Sequence, residues 1–420
     1  MNTLTAIAPF ELTTDQQKAT DLFYQFLADP IETVFVLSGF SGCGKSTLVK
    51  TLVEAAPNFL KVGKLVNPAQ RDYQIELTAT TNKAAENLAH ITGQKVSTIH
   101  SFLGLRVQTD YKTNETTLIP RSHDVKEDCL LFIDEASYID KQLLEFIFTL
   151  TSNCKVVFVG DPAQLTPVKS KGTPVFSSKF SGATLTQVVR QAEGNPIVAL
   201  STKFRDTVNS GEFFKFIPDG HHVVYLERAE FNQAIAKEFN RPNWRFSDSK
   251  ILGWTNKCVI SFNDYVSAHV KGAPAFAVED YAVSNNFLSV GRKGIKANQM
   301  VQITGISSDV ERLGVLGNNF ALDNEVAAFM PKTLHDKKTR IKQARADEDL
   351  DAVKEIEERW VDLRAAYACT INKAQGSTFD EVFIDLDDVS RCNSGDQIAR
   401  MLYVAVSRAR NKVFLTGDLA

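Results

Sequence analysis

This sequence of 420 residues has no long apolar run, no closely spaced pair of cysteines and only a small excess of negative charge. No apolar run approaches the roughly 18 residues of a membrane-spanning helix, and the N-terminal stretch lacks the basic region and apolar core of a secretory signal. The six cysteines are scattered and form no Cys-x-x-Cys pair, so neither disulfides nor structural zinc is expected. We therefore expect a soluble protein of the reducing cytoplasm that does not enter a membrane.

The charge balance indicates no particular class of partner. The formal net charge is −3, so no global positive field predicts nucleic-acid binding, and any polyanion must be met by local patches. Hydrophobic residues make up 44% of the chain and charged residues 23%, which is the composition of a globular protein. A chain of 420 residues is too long for one ordinary core, and about two to four domains are expected.

One glycine-rich segment predicts a phosphate-binding loop. The apolar run Val34–Leu37 indicates a buried strand, and a helical pattern resumes after the glycines. Glycines allow the backbone to turn tightly, so that consecutive N–H groups face phosphate oxygens at the positive end of the helix dipole. Lys45 would reach the β- and γ-phosphates of ATP, and the Ser46 hydroxyl would bind Mg²⁺. The residues predicted to bind the nucleotide here are Gly39, Phe40, Ser41, Gly42, Cys43, Gly44, Lys45, Ser46 and Thr47.

The strands that follow predict an α/β fold. Gln74–Ala79, Leu130–Glu135 and Val156–Asp161 alternate with helical patterns, which is typical of a parallel sheet covered on both faces. Ligands bind at the carboxyl ends of such strands, where this sequence places polar residues. A second series after Arg190 predicts a second α/β lobe. Its strands are Val223–Leu226, Lys250–Asn256, Val382–Leu386 and Val413–Leu415, with a helix over Met401–Arg408.

Two stretches interrupt this pattern. Alternating residues from Arg106 to Pro120 predict a projecting β-hairpin, with a loop excursion that has no function of its own as the alternative. Short β-like pieces such as Met300–Thr304 and a charged helical stretch, Pro331–Trp360, predict an inserted SH3-like, small-barrel subdomain with a helical arm. The expected domains are 1–104 with 124–190 (first lobe), 105–123 (hairpin), 191–270 with 361–420 (second lobe) and 271–360 (insertion).

Two acids at the end of the third strand predict hydrolysis. Asp134 would hold Mg²⁺, and Glu135 would orient and deprotonate the water that attacks the γ-phosphate. Nucleotide kinases need no such base, so the second carboxylate favours hydrolysis over phosphoryl transfer. Arg190 and Arg408 are candidates for stabilising charge on the γ-phosphate, an interaction worth about 10³–10⁵ in rate. With Arg408 on the second lobe, hydrolysis would be complete only when the lobes close.

In this order, these segments resemble the superfamily-one DNA helicases, in particular the B-class group that contains RecD and the bacteriophage helicase Dda. The resemblance covers both lobes but neither the hairpin nor the insertion. It implies a P-loop NTPase fold with two RecA-like lobes. It also implies ATP-dependent 5′-to-3′ movement on single-stranded DNA that separates duplex, in phage replication or recombination within an infected bacterial cell. The implied partners are single-stranded DNA and fork junctions, with single-strand-binding or replication proteins as further candidates and a monomer as the active form.

The resemblance assigns roles to individual residues. Gln16 would read adenine, Gln164 would belong to motif III with Gly160-Asp161, and Gln375 and Gly376 would lie at the nucleotide. The implied catalytic residues are Lys45, Glu135, Gln164, Arg190 and Arg408. The residues implied to hold DNA are Thr80, Asn82, Lys83, Thr98, His100, Ser101, Thr255, Asn256, Lys257, Thr370, Asn372 and Lys373. From the residues alone, the turn at Thr80 fits a helix cap as well as it fits a phosphate contact.

The sequence departs from the family at two positions. Asn372 stands where the family has histidine; asparagine keeps a donor and an acceptor but takes no positive charge, which weakens a phosphate contact. Ser407 replaces the commoner threonine and keeps the hydroxyl. In the hairpin, Tyr111 or Leu118 is the hypothetical wedge that stacks on the terminal base pair.

Other functions fit part of the same pattern. A translocase that displaces proteins without robust unwinding would use identical chemistry and differ only in the wedge. An RNA helicase would share the motifs, because contacts to phosphate do not distinguish the sugars. A P-loop kinase or a nucleotide-controlled binding module would need an acceptor pocket or switch loop in place of Gln164, Arg190 and the last helix.

Overall fold

A computed structural model describes residues 11–109, 116–121, 124–166, 173–187, 194–272, 276–290 and 293–419. The chain divides into two compact units, each assembled from several segments. Unit 1 comprises Met1–Ile217, Gln375–Ser377 and Ser394–Ser407. Unit 2 comprises Pro218–Ala374, Thr378–Asn393 and Arg408–Ala420.

The helices and strands alternate along most of the chain. In chain order the helices are α1 (Thr14–Ala28), α2 (Lys45–Val66), α3 (Asn82–Thr92), α4 (Ile99–Phe102), α5 (Lys141–Thr149), α6 (Pro174–Ser177), α7 (Pro196–Ser210), α8 (Arg228–Phe239), α9 (Asn256–Tyr265), α10 (Leu334–Ala346), α11 (Leu350–Arg359), α12 (Ile371–Ala374), α13 (Leu386–Val389) and α14 (Gly395–Val406). A 3₁₀ turn covers Ala136–Tyr138, and a π-helical turn covers Val266–Val270.

The strands, in chain order, are β1 (Val34–Gly39), β2 (Gln74–Ala79), β3 (Ser97–Thr98), β4 (Leu105–Thr109), β5 (Thr116–Pro120), β6 (Lys126–Glu127), β7 (Cys129–Asp134), β8 (Thr151–Ser152), β9 (Lys155–Gly160), β10 (Ser181–Leu185), β11 (Val223–Tyr225), β12 (Ser249–Gly253), β13 (Tyr281–Ser284), β14 (Leu288–Val290), β15 (Lys293–Ile295), β16 (Met300–Arg312), β17 (Val315–Leu322), β18 (Ala327–Pro331), β19 (Leu363–Ala365), β20 (Ala368–Thr370), β21 (Phe379–Asp385) and β22 (Ala409–Thr416).

A six-stranded sheet forms the centre of unit 1. Its order is β10-β1-β9-β7-β2-β3, and every neighbouring pair is parallel. The central strands β7 and β9 are almost entirely buried because helices cover both faces, as their unbroken apolar sequences predict. On one face Phe23 of α1 packs on Phe35 and Phe132; on the other Phe158 packs among residues of α4 and α5. The predicted parallel α/β fold is confirmed.

Strand β10 was not expected from the sequence. Its small and polar residues carry little strand signal, and it pairs with β1 from the edge of the sheet. A Cβ atom at Gly182 would lie 2.1 Å from the carbonyl oxygen of Val36, so only glycine fits where the two backbones meet. This strand therefore depends on a tertiary contact.

Unit 2 contains a second parallel sheet, in the order β11-β22-β21-β12-β20. Four of its strands overlap the predicted ones, and β20 was not predicted. Phe383 of β21 and Phe414 of β22 stack with ring centroids 4.5 Å apart, and Phe231 of α8 packs on Phe383 from the helix layer. These contacts hold the sheet and its helices in one core.

The insertion in unit 2 is antiparallel. Its strands run in the order β18-β17-β16-β13-β19, and β14 pairs with β15 as a separate hairpin. The charged stretch after Pro331 forms two helices, α10 and α11, which join around Asp347–Asp349. Trp360 is fully buried and packs on Phe329 at 4.7 Å, so the arm is anchored to the sheet by an aromatic contact. The prediction here was an SH3-like, small-barrel subdomain with a helical arm; the structure has an antiparallel sheet and two helices in this region, and the barrel character stays a prediction.

Two further expectations concern local elements. The hairpin prediction corresponds to β4 and β5, which pair antiparallel from Leu105 opposite Pro120 to Thr109 opposite Thr116. The predicted helix Met401–Arg408 is α14, which begins six residues earlier and ends at Val406, and it belongs to unit 1. Within the described part of the chain, no helix combines the length and apolar character needed to cross a bilayer.

Candidate functional site

The predicted phosphate loop lies between β1 and α2. Gly42 and Gly44 adopt φ values of 83° and 80°, which only glycine adopts without strain. A Cβ atom at Gly39 would lie 2.8 Å from Cys43 Sγ and 2.9 Å from Leu185 Cβ, so this glycine is required by space. The loop therefore turns tightly directly before the N-terminus of a long helix, where backbone N–H groups have no intrahelical partner.

Lys45 lies across the mouth of this loop. Its ammonium group donates hydrogen bonds to the carbonyl oxygens of Gly39 (2.7 Å) and Phe40 (2.9 Å). An ammonium group has three protons, so one remains for a phosphate oxygen. Lys45 is thus held against the loop by two backbone carbonyls, and its predicted contact with the terminal phosphates stays a prediction.

Gln16, predicted to read adenine, is buried against the loop. Its side-chain nitrogen donates to the Cys43 carbonyl at 3.2 Å, and its side-chain oxygen accepts from the Thr13 N–H at 3.1 Å in a capping box. Only 3% of its surface is exposed. Gln16 therefore joins the start of α1 to the phosphate loop within the protein itself.

The carboxylate pair lies at the end of β7. The Glu135 N–H donates to Asp134 Oδ1 at 2.8 Å. Burial, reinforced by the nearby Glu135 charge, raises the pKa of Asp134 well above its usual range, and Lys45 acts in the opposite direction. Glu135 has a φ of 54°, a left-handed conformation that is rare outside glycine and asparagine. Such strain is typical of functional positions.

Gln375 brings three parts of the site together. Its side-chain nitrogen lies within hydrogen-bond distance of three acceptors, Gln164 Oε1 at 2.6 Å, Glu135 Oε2 at 3.1 Å and Ser137 Oγ at 3.3 Å, and its two hydrogens can serve two of them at a time. Its side-chain oxygen is buried and has no hydrogen-bond partner among the described residues. The predicted base Glu135 and the predicted motif III glutamine therefore meet on one amide, which the sequence places far downstream of both.

Helix α14 makes further contacts to the motif III loop that follows β9. Tyr403 donates its hydroxyl hydrogen to Asp161 Oδ2 and accepts a hydrogen bond from the Ser41 N–H at 2.9 Å. Arg400 donates to the carbonyl oxygens of Pro162 (2.6 Å) and Gln164 (2.8 Å). Neither was predicted as a site residue: Tyr403 begins the segment Tyr403–Ala409, which carries part of the family resemblance, but no role was assigned to it, and Arg400 lies outside the segments that carry the resemblance.

The structure describes only one of the two arginines predicted to stabilise charge on the γ-phosphate. Arg190 lies outside the described residues. Arg408 follows α14, lies in unit 2 and is 5% exposed. Their predicted roles stay predictions.

Thr80 and its neighbours lie where β2 ends and α3 begins. The Thr80 hydroxyl donates to the Glu135 carbonyl at 3.0 Å, and its N–H donates to the Asp134 carbonyl at 3.2 Å. Thr81 caps α3 by accepting from the Ala84 N–H. Both donors of Thr80 are therefore engaged inside the protein, whereas the next two helix residues, Asn82 and Lys83, are exposed.

The same arrangement recurs in unit 2. Thr255 caps α9 by accepting from the Cys258 N–H at 3.1 Å, and it is followed by exposed Asn256 and Lys257. The Thr255 hydroxyl donates to Asp388 Oδ1 at 2.6 Å, and the Thr255 N–H donates to Asp388 Oδ2 at 2.9 Å. Thus each unit presents an exposed Asn-Lys pair on the first turn of a helix, with the preceding threonine serving as the cap.

The remaining predicted DNA contacts also follow strand ends. Thr98 caps α4 and accepts from the Ser101 N–H at 3.2 Å, and burial lowers the pKa of the intervening His100. In unit 2, Thr370 ends β20 and accepts from the N–H of Lys373, whose side chain is exposed. Asn372 lies between them and is half-buried.

The hairpin residues proposed as a wedge are only partly described. Tyr111 lies outside the described residues. Leu118 is half-buried and packs against the core formed by residues such as Ile99 and Leu103. Its side chain therefore anchors the hairpin base to unit 1.

Asn87 is a further residue that sequence reasoning missed. It is half-buried on α3, and its side-chain nitrogen donates to the Gly376 carbonyl. Gly376 has a φ of 78°, and a Cβ atom there would lie 3.9 Å from both Asn87 Nδ2 and Glu135 Oε1. The helix that begins with Asn82 and Lys83 is thereby joined to the segment that contacts Glu135.

Fold and site together define a P-loop ATPase of the motor class, with a phosphate loop after β1, a carboxylate pair after β7 and a second parallel sheet in the same chain. Comparison with known families agrees. Residues 11–224 match the model described as an AAA domain. Residues 365–416 match the UvrD-like helicase C-terminal domain.

Similar proteins specify the family. The RecD2 DNA helicase of Deinococcus radiodurans is 36% identical over 167 residues, which are 39% of this chain and only 20% of that helicase. The DNA helicase Dda of Enterobacteria phage T4 is 23% identical across 96% of this chain and 99% of its own. The chain belongs to the superfamily-one B-class DNA helicases.

A solved structure supports the fold. Pif1 helicase from Bacteroides, in complex with ADP-AlF3 and single-stranded DNA, superimposes with a TM-score of 0.53 and 16% sequence identity. The match covers 98% of this chain and 93% of that one. At this identity the likeness shows a shared fold.

Proposed function

We propose that the chain hydrolyses ATP to travel 5′ to 3′ along single-stranded DNA and to separate duplex ahead of it. The observation that carries this proposal is the convergence of Glu135, Gln164 and Gln375 beside the phosphate loop in a member of a DNA helicase family. A P-loop kinase would need an acceptor pocket there. A carboxylate and two amides instead suit the positioning of a water molecule.

The proposed nucleotide site uses backbone N–H groups of the loop from Gly39 to Thr47, with Lys45 at the β- and γ-phosphates and Gln16 near adenine. Glu135 orients the attacking water and takes its proton, while Gln164, Arg190 and Arg408 respond to charge on the γ-phosphate. Gln375 and Gly376 complete the site next to Glu135. This division of labour is supported by the distances between Glu135, Gln375 and Gln164.

Mg²⁺ is the proposed metal, held by Asp134 and the Ser46 hydroxyl. The donor set fits, because both groups offer oxygen, which magnesium prefers, and magnesium is commonly held by one or two carboxylates plus substrate phosphates. The ion would neutralise charge on the phosphates.

The proposed DNA path runs over helix N-termini in both units. Exposed Asn82 and Lys83 in unit 1 and Asn256 and Lys257 in unit 2 present donors at the positive ends of α3 and α9. The other proposed contacts are Thr80, Thr98, His100, Ser101, Thr255, Thr370, Asn372 and Lys373. Thr80 and Thr255 would act mainly by holding the turn, because their own donors are engaged.

The proposed domain roles follow the sequence. The two motor lobes are proposed to be 1–104 with 124–190 and 191–270 with 361–420, although the structure groups 191–217, 375–377 and 394–407 with unit 1. Residues 105–123 are proposed as the wedge hairpin, with Tyr111 rather than the core-packed Leu118 as its contact to the fork, and 271–360 as the SH3-like insertion. The proposed substrates are single-stranded DNA and fork junctions, bound by a monomer. Single-strand-binding or replication proteins are the proposed protein partners.

Forked duplexes with a single 5′ or 3′ tail test the activity and the polarity together. We expect ATP-dependent strand separation on the 5′-tailed duplex and little on the 3′-tailed one, with ATP turnover stimulated by single-stranded DNA. Trimming residues 109–117 should abolish separation but leave DNA-stimulated turnover, if the hairpin is the wedge. Turnover without separation by the intact chain would identify a translocase, and stimulation by RNA alone would identify an RNA motor. Turnover unchanged by either nucleic acid would refute the proposal.

A further inference from the structure

Tyr403 connects two loops of the nucleotide site. Its hydroxyl oxygen accepts from the Ser41 N–H at 2.9 Å, and its hydroxyl hydrogen goes to Asp161. Ser41 belongs to the phosphate loop, directly before Gly42, and Asp161 begins the loop that carries Gln164. One hydroxyl group thus joins the loop that would hold phosphate to the loop that carries Gln164, one of the implied catalytic residues.

The surroundings make this hydroxyl difficult to replace. Asp161 is fully buried, and Tyr403 is 2% exposed, so water has little access to the bond between them. The other oxygen of Asp161 accepts from the Ala163 N–H at 3.0 Å. Without the tyrosine hydroxyl, a buried carboxylate oxygen and the Ser41 N–H would each lose a partner, and unsatisfied buried groups are costly.

The rest of α14 fixes Tyr403 in place. Arg400 donates to the carbonyl oxygens of Pro162 and Gln164 and is oriented by Asp396, whose carboxylate lies 3.0 Å from its Nε. Gln397 donates to Thr166 at 3.0 Å. Contacts from Arg400, Gln397 and Tyr403 therefore hold α14 against the loop that follows β9.

We propose that Tyr403 is a positioning residue for ATP hydrolysis. Its hydroxyl sets the spacing between the phosphate loop and Gln164, and through Gln164 it sets the amide of Gln375 that contacts Glu135. The loop donor that its hydroxyl engages is the Ser41 N–H, so this donor serves the protein itself and the N–H groups from Gly42 to Thr47 are the ones proposed to bind the phosphates. Loss of the hydroxyl should therefore slow the chemical step more than it weakens nucleotide binding. This inference rests on the proposed ATPase function.

The test is Tyr403→Phe, which keeps the ring and removes only the hydroxyl. With saturating single-stranded DNA, we expect kcat to fall about 10-fold and KM for ATP to change less than about 3-fold. Tyr24→Phe is the matched control, because Tyr24 is a buried tyrosine of unit 1 whose ring stacks on Phe59 away from this network. It should leave both constants unchanged. Asp161→Asn, which keeps the shape but weakens the acceptor, should reproduce the split between kcat and KM.

The outcomes separate this inference from the proposed function. A wild-type chain without ATP turnover would refute the proposed function and this inference with it. An active wild type with an unchanged kcat in folded Tyr403→Phe would refute only the inference. A rise in KM equal to the fall in kcat would also refute it, because the hydroxyl would then serve binding. If Tyr403→Phe does not fold, as judged by thermal unfolding, an unchanged kcat in folded Asp161→Asn would overturn the inference, and a selective fall in kcat would support it.

Discussion

Replacing Thr80 by valine distinguishes two roles that the same threonine could play. Valine keeps the branched shape and removes only the hydroxyl group, which donates to the Glu135 carbonyl at 3.0 Å. If that hydrogen bond is what the hydroxyl contributes, the variant should hydrolyse ATP more slowly and bind DNA as before. If the hydroxyl contacts a DNA phosphate, as the family resemblance implies, DNA affinity should fall instead.

The magnitude follows from the local geometry. A neutral hydrogen bond contributes about 0.5–1.5 kcal/mol, and Thr80 is only 8% exposed, so water replaces the lost donor poorly. The acceptor belongs to Glu135, whose backbone has a φ of 54°, a conformation that costs about 1–2 kcal/mol without support. If the whole hydrogen bond serves to hold Glu135 in its working position, kcat should fall about 2- to 13-fold.

The assay measures ATP turnover as a function of single-stranded DNA concentration and yields both kcat and the DNA concentration at half-stimulation. Thr80→Val should lower kcat and leave half-stimulation unchanged. Thr80→Ser, which retains the hydroxyl, should keep kcat near wild type, and Lys83→Ala should raise the half-stimulating concentration. A Thr80→Val variant with wild-type kcat and a raised half-stimulating concentration would refute the reasoning.

Three further predictions concern the same site. Glu135→Gln should bind ATP within about 3-fold of wild type, because it keeps the shape of the side chain. It should lose at least about 100-fold in turnover, because it removes the base. Single-turnover assays with labelled ATP measure this loss, and rapid turnover would contradict the role of Glu135. Asn87→Ala removes the hydrogen bond from α3 to the Gly376 carbonyl and should lower the stimulation of ATP turnover by DNA about 5-fold, with the basal rate unchanged. Equal stimulation of the wild type and the variant would show that this hydrogen bond does not couple DNA to turnover. Lys373→Ala should weaken DNA binding and reduce the slope of log affinity against log salt by about 1, as measured by fluorescence anisotropy; an unchanged slope would place Lys373 away from phosphate.

The strands that could be predicted from the sequence are those that form because of their own local residue pattern. Strand β2 has the predicted bounds, and β7 and β9 lie within one residue of theirs, because short runs with strong strand signals fall between clear helical segments. Strand β10 has no such signal. It forms because Gly182 lets its backbone meet that of β1, a contact that depends on distant parts of the chain. Tertiary pairing therefore decides what propensity leaves open.

The difference between local and long-range causes also applies to the residues of the candidate site. The placement of Lys45, Asp134 and Glu135 at or after the ends of strands could be predicted because each follows a run with a strong strand signal, while their roles stay predictions. The contact made by Tyr403 could not be predicted, although this residue begins the segment Tyr403–Ala409 that carries part of the resemblance, because its partner Ser41 is 362 positions away in the sequence. Arg400 was missed for the same reason, since its acceptors are backbone carbonyls, which no sequence pattern identifies.

Hydrogen-bond donors separate residues that can meet a phosphate from residues that hold other residues in place. A phosphate is an acceptor, so a contact requires a donor that is not already engaged. Thr80 donates its N–H to the Asp134 carbonyl and its hydroxyl to the Glu135 carbonyl. Thr255 donates both its N–H and its hydroxyl to the carboxylate of Asp388. Lys45 keeps one of three protons after contacting two carbonyls, and exposed Lys257 lies on the first turn of α9. Motif membership alone would group all four as phosphate ligands. Their donors instead favour the proposal that the threonines shape the turns, whereas the two lysines keep donors that a phosphate could use.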